Sequence, residues 1–424
     1  MLIGPDGKLK YQCNNLLGRE RKLSSLLEQA KATRLDISTH SVDGVHYMPG
    51  TLERSGEGKG PRPCERFSSL AAGAHGEVYL VLTSSRNNNS DVVLRIWDGQ
   101  TWSNDIPVAA SEADEYDGTV IVGKDGKVWL CWTSNALDNK YNIYVTNLQT
   151  VLAEGKPTRV THAPDDGMHG RMACDADGRL WITYYQWQKN RAGISRDKEV
   201  YVRGLEGSSI SKAIQISPTD VPSYEDHTDP AIIQVGNDMM ICWSWDFHQP
   251  RGYTTGAHEP TIFARMINDG LTLDKPFHLS GGHIDMVPVL GAGGRSGTWC
   301  AWDSLGNGPN SKSLCVRSMT SNATTGQIVR ISRDLTHVCS PCFAFSGQED
   351  GVLVWCQTQN GLDWTLEKSV LNAQTKQWSR PHTLALEGNP RYSTAVYDTK
   401  GQLWIAYSRE TPEGRRVMCK QINL

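Results

Sequence analysis

The sequence predicts an all-β fold, a seven-bladed β-propeller with a short N-terminal helical extension, on three observations. A unit recurs in which a short apolar strand, a Gly-containing turn and a Trp-rich strand precede a polar loop; its copies read SSLAAGAHGEVYLVLTSS, GTVIVGKDGKVWLCWTSN, GRMACDADGRLWITYYQW, DPAIIQVGNDMMICWSWD, MVPVLGAGGRSGTWCAWDS, PCFAFSGQEDGVLVWCQTQ and STAVYDTKGQLWIAYSRE. Equivalent positions Tyr79, Trp129, Trp181, Met240, Trp299, Trp355 and Trp404 are spaced by 50, 52, 59, 59, 56 and 49 residues, close to the roughly 40–50-residue period of propeller blades. DG and KG dipeptides separate the β-rich runs, where Gly supplies the positive φ of tight hairpins.

Taken in order, residues 1–42 form the extension. Within it RERKLSSLLEQAKATR (19–34) carries Leu23, Leu26, Leu27 and Ala30 at helical spacing, so one helix is expected outside the ring. The propeller occupies 43–424, and its seven units account for 65–424 with room for four strands each. DVVLRIWD and QTWSNDIPV supply the outer pair of the first unit, YNIYVTNL and KPTRVTH that of the second. A Trp or Tyr on each second strand fills the wedge between neighbouring blades. The last unit ends at RRVMCKQINL without an outer strand, and DGVHYMPGTLE (43–53) resembles the outer strands elsewhere. That segment is expected to close the last blade, joining the two ends of the ring and removing an exposed sheet edge.

Composition narrows the function. Lys+Arg of 43 against Asp+Glu of 46 leaves a net charge of −3, which supplies no broad field for nucleic acid or an anionic membrane. Hydrophobic content of 38% and charged content of 21% exclude extensive disorder, and no run of about 18 apolar residues marks a membrane span. The start MLIGPDGKLKYQC lacks the basic-then-apolar pattern of a signal peptide. Of 11 cysteines, Cys131, Cys242, Cys300 and Cys356 sit in apolar strand-like runs. They read as buried free thiols, which suits a reducing, cytoplasmic setting; secretion is the alternative if a signal has been removed. Cys339-Ser340-Pro341-Cys342 is a C-x-x-C with no second pair and no βαβ context, weak as a metal or redox site. A monomer is expected.

The turn after each first strand is short, whereas the loop after each second strand varies, running to QWQKNRAGISRDKE in blade 3 and DFHQPRGYTTGAHEP in blade 4. Variable loops on a rigid scaffold carry function, so the working face holds these loops and the segments entering each first strand. The entry segments place Arg66, Asp117, His169, His227, Asp285, Arg391 and Tyr392 around one funnel; the loops add Tyr184, Tyr185, Trp187, Arg191, Asp246, His248, Arg251, Tyr253 and His258. A lone His at a strand end is more often structural, but several converging on one pocket point to chemistry. At least one of Tyr184 and Tyr185 is expected to pack between blades. Asp117 and Asp285 can pair with Arg66 or Arg391, or hold a structural cation.

His, Tyr and Arg together suit proton abstraction next to a carboxylate. An Arg neutralises the carboxylate of a uronic acid, a His or Tyr takes the C5 proton, and a second gives one to the departing glycosidic oxygen. The outcome is β-elimination. Trp187 and Tyr253 offer flat surfaces for sugar rings, with Arg66, Arg191, Arg251, Tyr184, His258, Arg391 and Tyr392 as further substrate contacts.

The stretch from His227 to His248, ending Ser244-Trp245-Asp246-Phe247-His248, resembles a blade of the BNR-type propellers found in ulvan lyases and related uronate-cleaving enzymes. The resemblance implies a seven-bladed propeller acting on a uronic-acid-containing glycan, with His227 and His248, 21 residues apart, as catalytic or substrate-binding groups. His169 joins them as a catalytic candidate. Those lyases also use a Tyr from a later blade; here TWCAWDS has none, so the role falls to Tyr253, Tyr184, Tyr185 or Tyr392. No cofactor is required; Ca²⁺ is admitted, without a ligand motif. The alternatives are a sialidase-like or rhamnosidase-like hydrolase and a non-catalytic glycan-binding propeller. The sialidase reading has only the partial Asp98-Gly99-Gln100-Thr101-Trp102 box in its favour.

Overall fold

A computed structural model of the chain describes residues 2–3, 9–11, 64–85, 89–137, 139–162, 166–189, 196–207, 209–219, 225–247, 260–268, 274–281, 284–293, 296–305, 312–320, 325–333, 336–346, 351–384, 386 and 388–422. It falls into two units, Met1–Arg62 and Pro63–Leu424. In the first, Leu2–Ile3 pairs antiparallel with Leu9–Tyr11. The helix expected at 19–34 and the closing strand expected at 43–53 lie outside the described residues.

The second unit is a seven-bladed β-propeller with almost no helix. The innermost strands, blades 1 to 7, are Glu65–Ala72, Glu115–Val122, Gly167–Cys174, Glu225–Val235, Asp285–Gly293, His337–Phe345 and Arg391–Tyr397. Each pairs antiparallel with a second strand, in turn Val78–Ser84, Val128–Leu137, Leu180–Lys189, Asp238–Phe247, Gly297–Leu305, Gly351–Thr358 and Leu403–Thr411. Neighbouring innermost strands pack side by side all the way round, the seventh against the first. Blade 7 has three described strands, ending with Gly414–Ile422.

The turns and the core share residues. In blade 3, Asp175 Oδ1 accepts the amides of Asp177 and Arg179 across the tight turn, while Oδ2 accepts the indole N–H of Trp181 at 2.7 Å. Asp398 does the same in blade 7 for Lys400, Gln402 and Trp404. One carboxylate therefore closes the hairpin and fixes the Trp that packs against the neighbouring blade.

Strand register refines the repeat. Tyr79, Trp129, Trp181, Met240, Trp299 and Trp404 are equivalent, facing Ala71, Ile121, Ala173, Ile233, Gly291 and Val396. In blade 6 that position belongs to Val352, opposite Ala344. Trp355 instead matches a second series three residues on: Leu82, Trp132, Tyr184, Trp243, Trp302 and Tyr407, all buried. An odd offset puts the two series on opposite faces of a strand, so each blade presents bulky groups to both neighbours. Truncating such a buried Trp to Ala costs about 3–5 kcal/mol.

Candidate active site

Every innermost strand carries a β-bulge at the same place, between Arg66 and Ser69, Tyr116 and Thr119, Met168 and Arg171, Thr228 and Ala231, Met286 and Val289, Cys339 and Cys342, and Arg391 and Thr394. One residue in each adopts a left-handed conformation: Phe67, Asp117, His169, Asp229, Val287, Ser340 and Tyr392, with φ between 50° and 57°. Left-handed backbone is uncommon away from Gly and strained for a β-branched residue such as Val287, and bulges re-aim side chains beside functional sites. Seven bulges at one level give the ring a rim, where neighbouring blades meet side chain to side chain.

Among the described residues, two sectors of the rim bring charged and aromatic side chains together. Between blades 2 and 3, Asp117 Oδ2 lies 3.2 Å from His169 Nδ1 and 2.9 Å from Arg171 Nη1. The same Arg171 nitrogen donates to Gly170 O at 2.9 Å, and the side chain is 35% exposed. His169 stacks on Tyr185, centroids 5.3 Å apart and planes 22° from parallel; the Tyr185 hydroxyl lies 3.5 Å from Met168 Sδ. Burial, reinforced by Asp229, Asp117, Asp226 and Asp166, pushes the Tyr185 phenol well above its ordinary range. Lys198 sits 4.6 Å from the Trp187 ring and pairs with Asp226 at 3.2 Å.

Between blades 7 and 1, Tyr392 and Phe67 rings lie 4.8 Å apart. Arg66 sits 5.5 Å from the Phe67 ring and Arg391 4.5 Å from the Trp364 ring. Neither guanidinium has a carboxylate partner among the described residues, and Arg391 Nε is buried without a hydrogen bond. Burial raises the Tyr392 phenol, opposed by Arg66, Arg391 and Arg415.

His227 is fully buried between blades 3 and 4. Its Nδ1 accepts the Trp243 indole N–H at 2.9 Å, so the neutral ring carries its proton on Nε2, 3.8 Å from Glu199 Oε2. Burial holds the imidazole down to about 3 and raises Glu199 to about 7, against the hydrogen bond from Ser217. Tyr184 is the tyrosine of its pair that packs wholly between blades: it has no exposed surface, accepts from Arg203 Nε at 3.2 Å and belongs to the blade 2–blade 3 core.

The structure thus brings His169 and Tyr185 together, with Trp187 nearby, and groups Arg66, Arg391 and Tyr392; His227 lies beneath the surface against Trp243 and Trp245, which share a core cluster with Tyr185. His248, Tyr253, His258, Arg191 and Arg251 lie outside the described residues. Arg171, Lys198 and Trp364 join these groups without having been singled out in the sequence. Arg171 had a signal, standing two residues after His169 in the entry DGMHGR. Among the described residues no group of three or more His, Cys, Asp or Glu is arranged to hold a metal, and Cys339, Cys342 and Cys356 are unbridged.

No protein-family model matches the chain and no curated protein matches it. Among solved structures, an ulvan lyase reported as a new polysaccharide lyase family is similar at 10% identity and a TM-score of 0.51, covering 85% of this chain and 96% of that one. A protein of unknown function from Dyadobacter fermentans has 10% identity and a TM-score of 0.49, covering 85% and 94%. An α-L-arabinanase from Penicillium chrysogenum has 12% identity and a TM-score of 0.47, covering 85% and 93%. At these identities the likeness is one of fold, the propeller.

Proposed function

We propose that this propeller is a carbohydrate-active enzyme, a lyase that cleaves a uronic-acid-containing glycan by β-elimination. The observation that carries the reading is the rim between blades 2 and 3, where Asp117, His169, Arg171 and Tyr185 meet. An ionised carboxylate only accepts hydrogen bonds, so Asp117 places the His169 proton on Nδ1 and makes Nε2 the basic position. Arg171 spends one nitrogen on Asp117 and Gly170, and its others suit a substrate carboxylate. Neutralising that carboxylate acidifies the neighbouring C5–H. His169 Nε2 takes the proton, the C4–O bond breaks as the C4=C5 bond forms, and a neutral phenol protonates the leaving oxygen. Tyr185 takes the donor role on position, its ring stacked on His169.

Arg66 and Arg391, two cations without a described carboxylate, suit further acidic groups along the chain, with Phe67, Tyr392 and Trp364 as flat surfaces for sugar rings. Trp187 serves the same purpose beside the reacting sugar. His227 supports the site from below through Trp245, whose ring lies 4.9 Å away. The overall similarity to an ulvan lyase agrees with this choice of substrate.

The test is incubation with a panel of uronate polysaccharides, following ultraviolet absorbance and product mass. A lyase gives an absorbing unsaturated end without uptake of water. Saturated products heavier by one water would establish hydrolysis, and binding without products a glycan-binding module.

A further inference from the structure

The C-x-x-C of blade 6 acquires a partner in the fold. Cys339 and Cys342 flank left-handed Ser340 in the bulge. The bulge separates them, so Cys342 faces Val354 while Cys339 directly faces Cys356 on the second strand. Residues opposed in an antiparallel pair have Cα atoms about 4.5–5.5 Å apart, inside the roughly 4.4–6.8 Å that a disulfide spans. Cys356 is fully buried, whereas Cys339 is partly open to solvent.

Electrostatics prepares the pair unequally. Burial resists ionisation of Cys356, but the neighbouring Cys339 and Ser393 outweigh it and hold that thiol below its ordinary range, whereas Cys356 and burial together push Cys339 up. The Cys356 thiol donates to Ser393 Oγ at 3.7 Å, and the Ser393 hydroxyl donates in turn to Ser340 O at 2.9 Å. Cys339 interacts in turn with Arg391 and Tyr392, so the dithiol borders the arginine sector of the rim.

We infer that Cys339 and Cys356 form a cross-strand disulfide by reaction with a peroxide, a reversible oxidation site next to Arg391 and Tyr392. Hydrogen peroxide transfers one oxygen to the Cys339 sulfur, giving a sulfenic acid and water. The Cys356 thiolate attacks that sulfur, the S–S bond forms, and hydroxide leaves to take up the proton Cys356 released. Two thiols and one peroxide become one disulfide and two waters, two electrons passing from sulfur to oxygen. Cys339 is the half-buried residue of the pair, so the oxidant reaches the dithiol from its side, and Cys356 directly opposite resolves the intermediate. The modification stands independently of the glycan chemistry proposed above.

The test treats the full chain with equimolar hydrogen peroxide, blocks remaining thiols with N-ethylmaleimide, and digests with a glutamyl endopeptidase, which can cut at Glu349 between Cys342 and Cys356. The expected product is a linked peptide pair, two hydrogens lighter than its parts, separated by dithiothreitol. It should vanish in Cys339→Ser and persist in Cys342→Ser, so neither variant alters the fully buried cysteine. Both cysteines recovered as maleimide adducts, a bridge that uses Cys342, or Cys339 stopping at a sulfinic acid would overturn the inference. The readout is sulfur mass alone, so it is decided whether or not a glycan is cleaved.

Discussion

At the scale of single residues, the Asp117–His169 contact decides which imidazole nitrogen is basic. Replacing His169 by Ala removes the proposed base, and turnover should fall by about 10²–10⁴-fold with the circular dichroism spectrum unchanged. Asp117→Asn can present its amide N–H to Nδ1 and stabilise the other tautomer, so it should lose activity while glycan binding survives. Near-normal rates in both variants would remove His169 from the mechanism.

Glu199 and His227 make a second residue-scale prediction, of stability against pH. Their ordinary values are 4.5 and 6.5; in the fold they lie at about 7 and about 3. Between roughly pH 4.5 and 6.5 the folded pair holds one proton on Glu199 and the unfolded pair one on His227, so the two contributions cancel. Below that window the unfolded chain binds more protons and stability falls with falling pH. Just above it the folded chain binds more, and stability falls as pH rises towards 7. Glu199→Gln leaves the histidine alone, so urea-unfolding free energies of the variant, relative to the parent, should climb from pH 4.5 to 6.5. Parallel curves would show that the two groups do not titrate this way. The sequence made His227 legible as a group at the start of an innermost strand, but its burial follows from Trp243 and Trp245, contacts that no single-strand pattern reveals. Arg171 stayed hidden because only the bulge turns it towards Asp117.

At the scale of elements, the bulge is what makes the rim. Its left-handed position holds Phe, Asp, His, Asp, Val, Ser and Tyr in successive blades, with no shared residue type to mark it in the sequence. The next residue is more uniform: Ser68, Gly118, Gly170, Pro230, Pro288, Pro341 and Ser393. The two glycines sit where an innermost strand presses on the preceding blade. A Cβ on Gly170 would meet Cys131 Sγ at 2.6 Å, and one on Gly118 would meet Val81 Cγ1 at 2.6 Å. Gly170→Ala should therefore destabilise the protein by about 1–3 kcal/mol through overpacking and lower activity through the adjoining His169, measured by thermal melting and turnover. An unchanged melting temperature would mean that the strand yields. The hairpins were the legible elements, since Asp, Gly and Trp recur in the turns. The series was legible in six blades, aromatic in five and Met240 in the other, and slipped by three residues in VLVWC of blade 6, where Val352 occupies the equivalent place.

At the scale of the whole molecule, seven units were countable because each repeats a hairpin, and the described strands close through blade 7 onto blade 1. The joint links an apolar core, Leu80 and Leu82 of blade 1 with Trp404 and Val417 of blade 7, to a buried carboxylate: Glu65 accepts the Val417 amide at 2.9 Å and pairs with Arg95 at 3.1 Å and Arg416 at 3.6 Å. That closure sets Arg66 beside Tyr392 across the ends of the described ring, far apart in sequence, and completes the proposed acidic-sugar surface. The central claim is that this rim holds a uronate while His169 removes its C5 proton. Proton NMR of a uronate polysaccharide digest tests it most directly, run with the parent protein and with His169→Ala. The account predicts a vinylic H4 resonance growing with time for the parent and at least about 10²-fold slower for the variant. An unsaturated product formed equally fast by both, or chain cleavage with no vinylic signal from any uronate glycan, would contradict it.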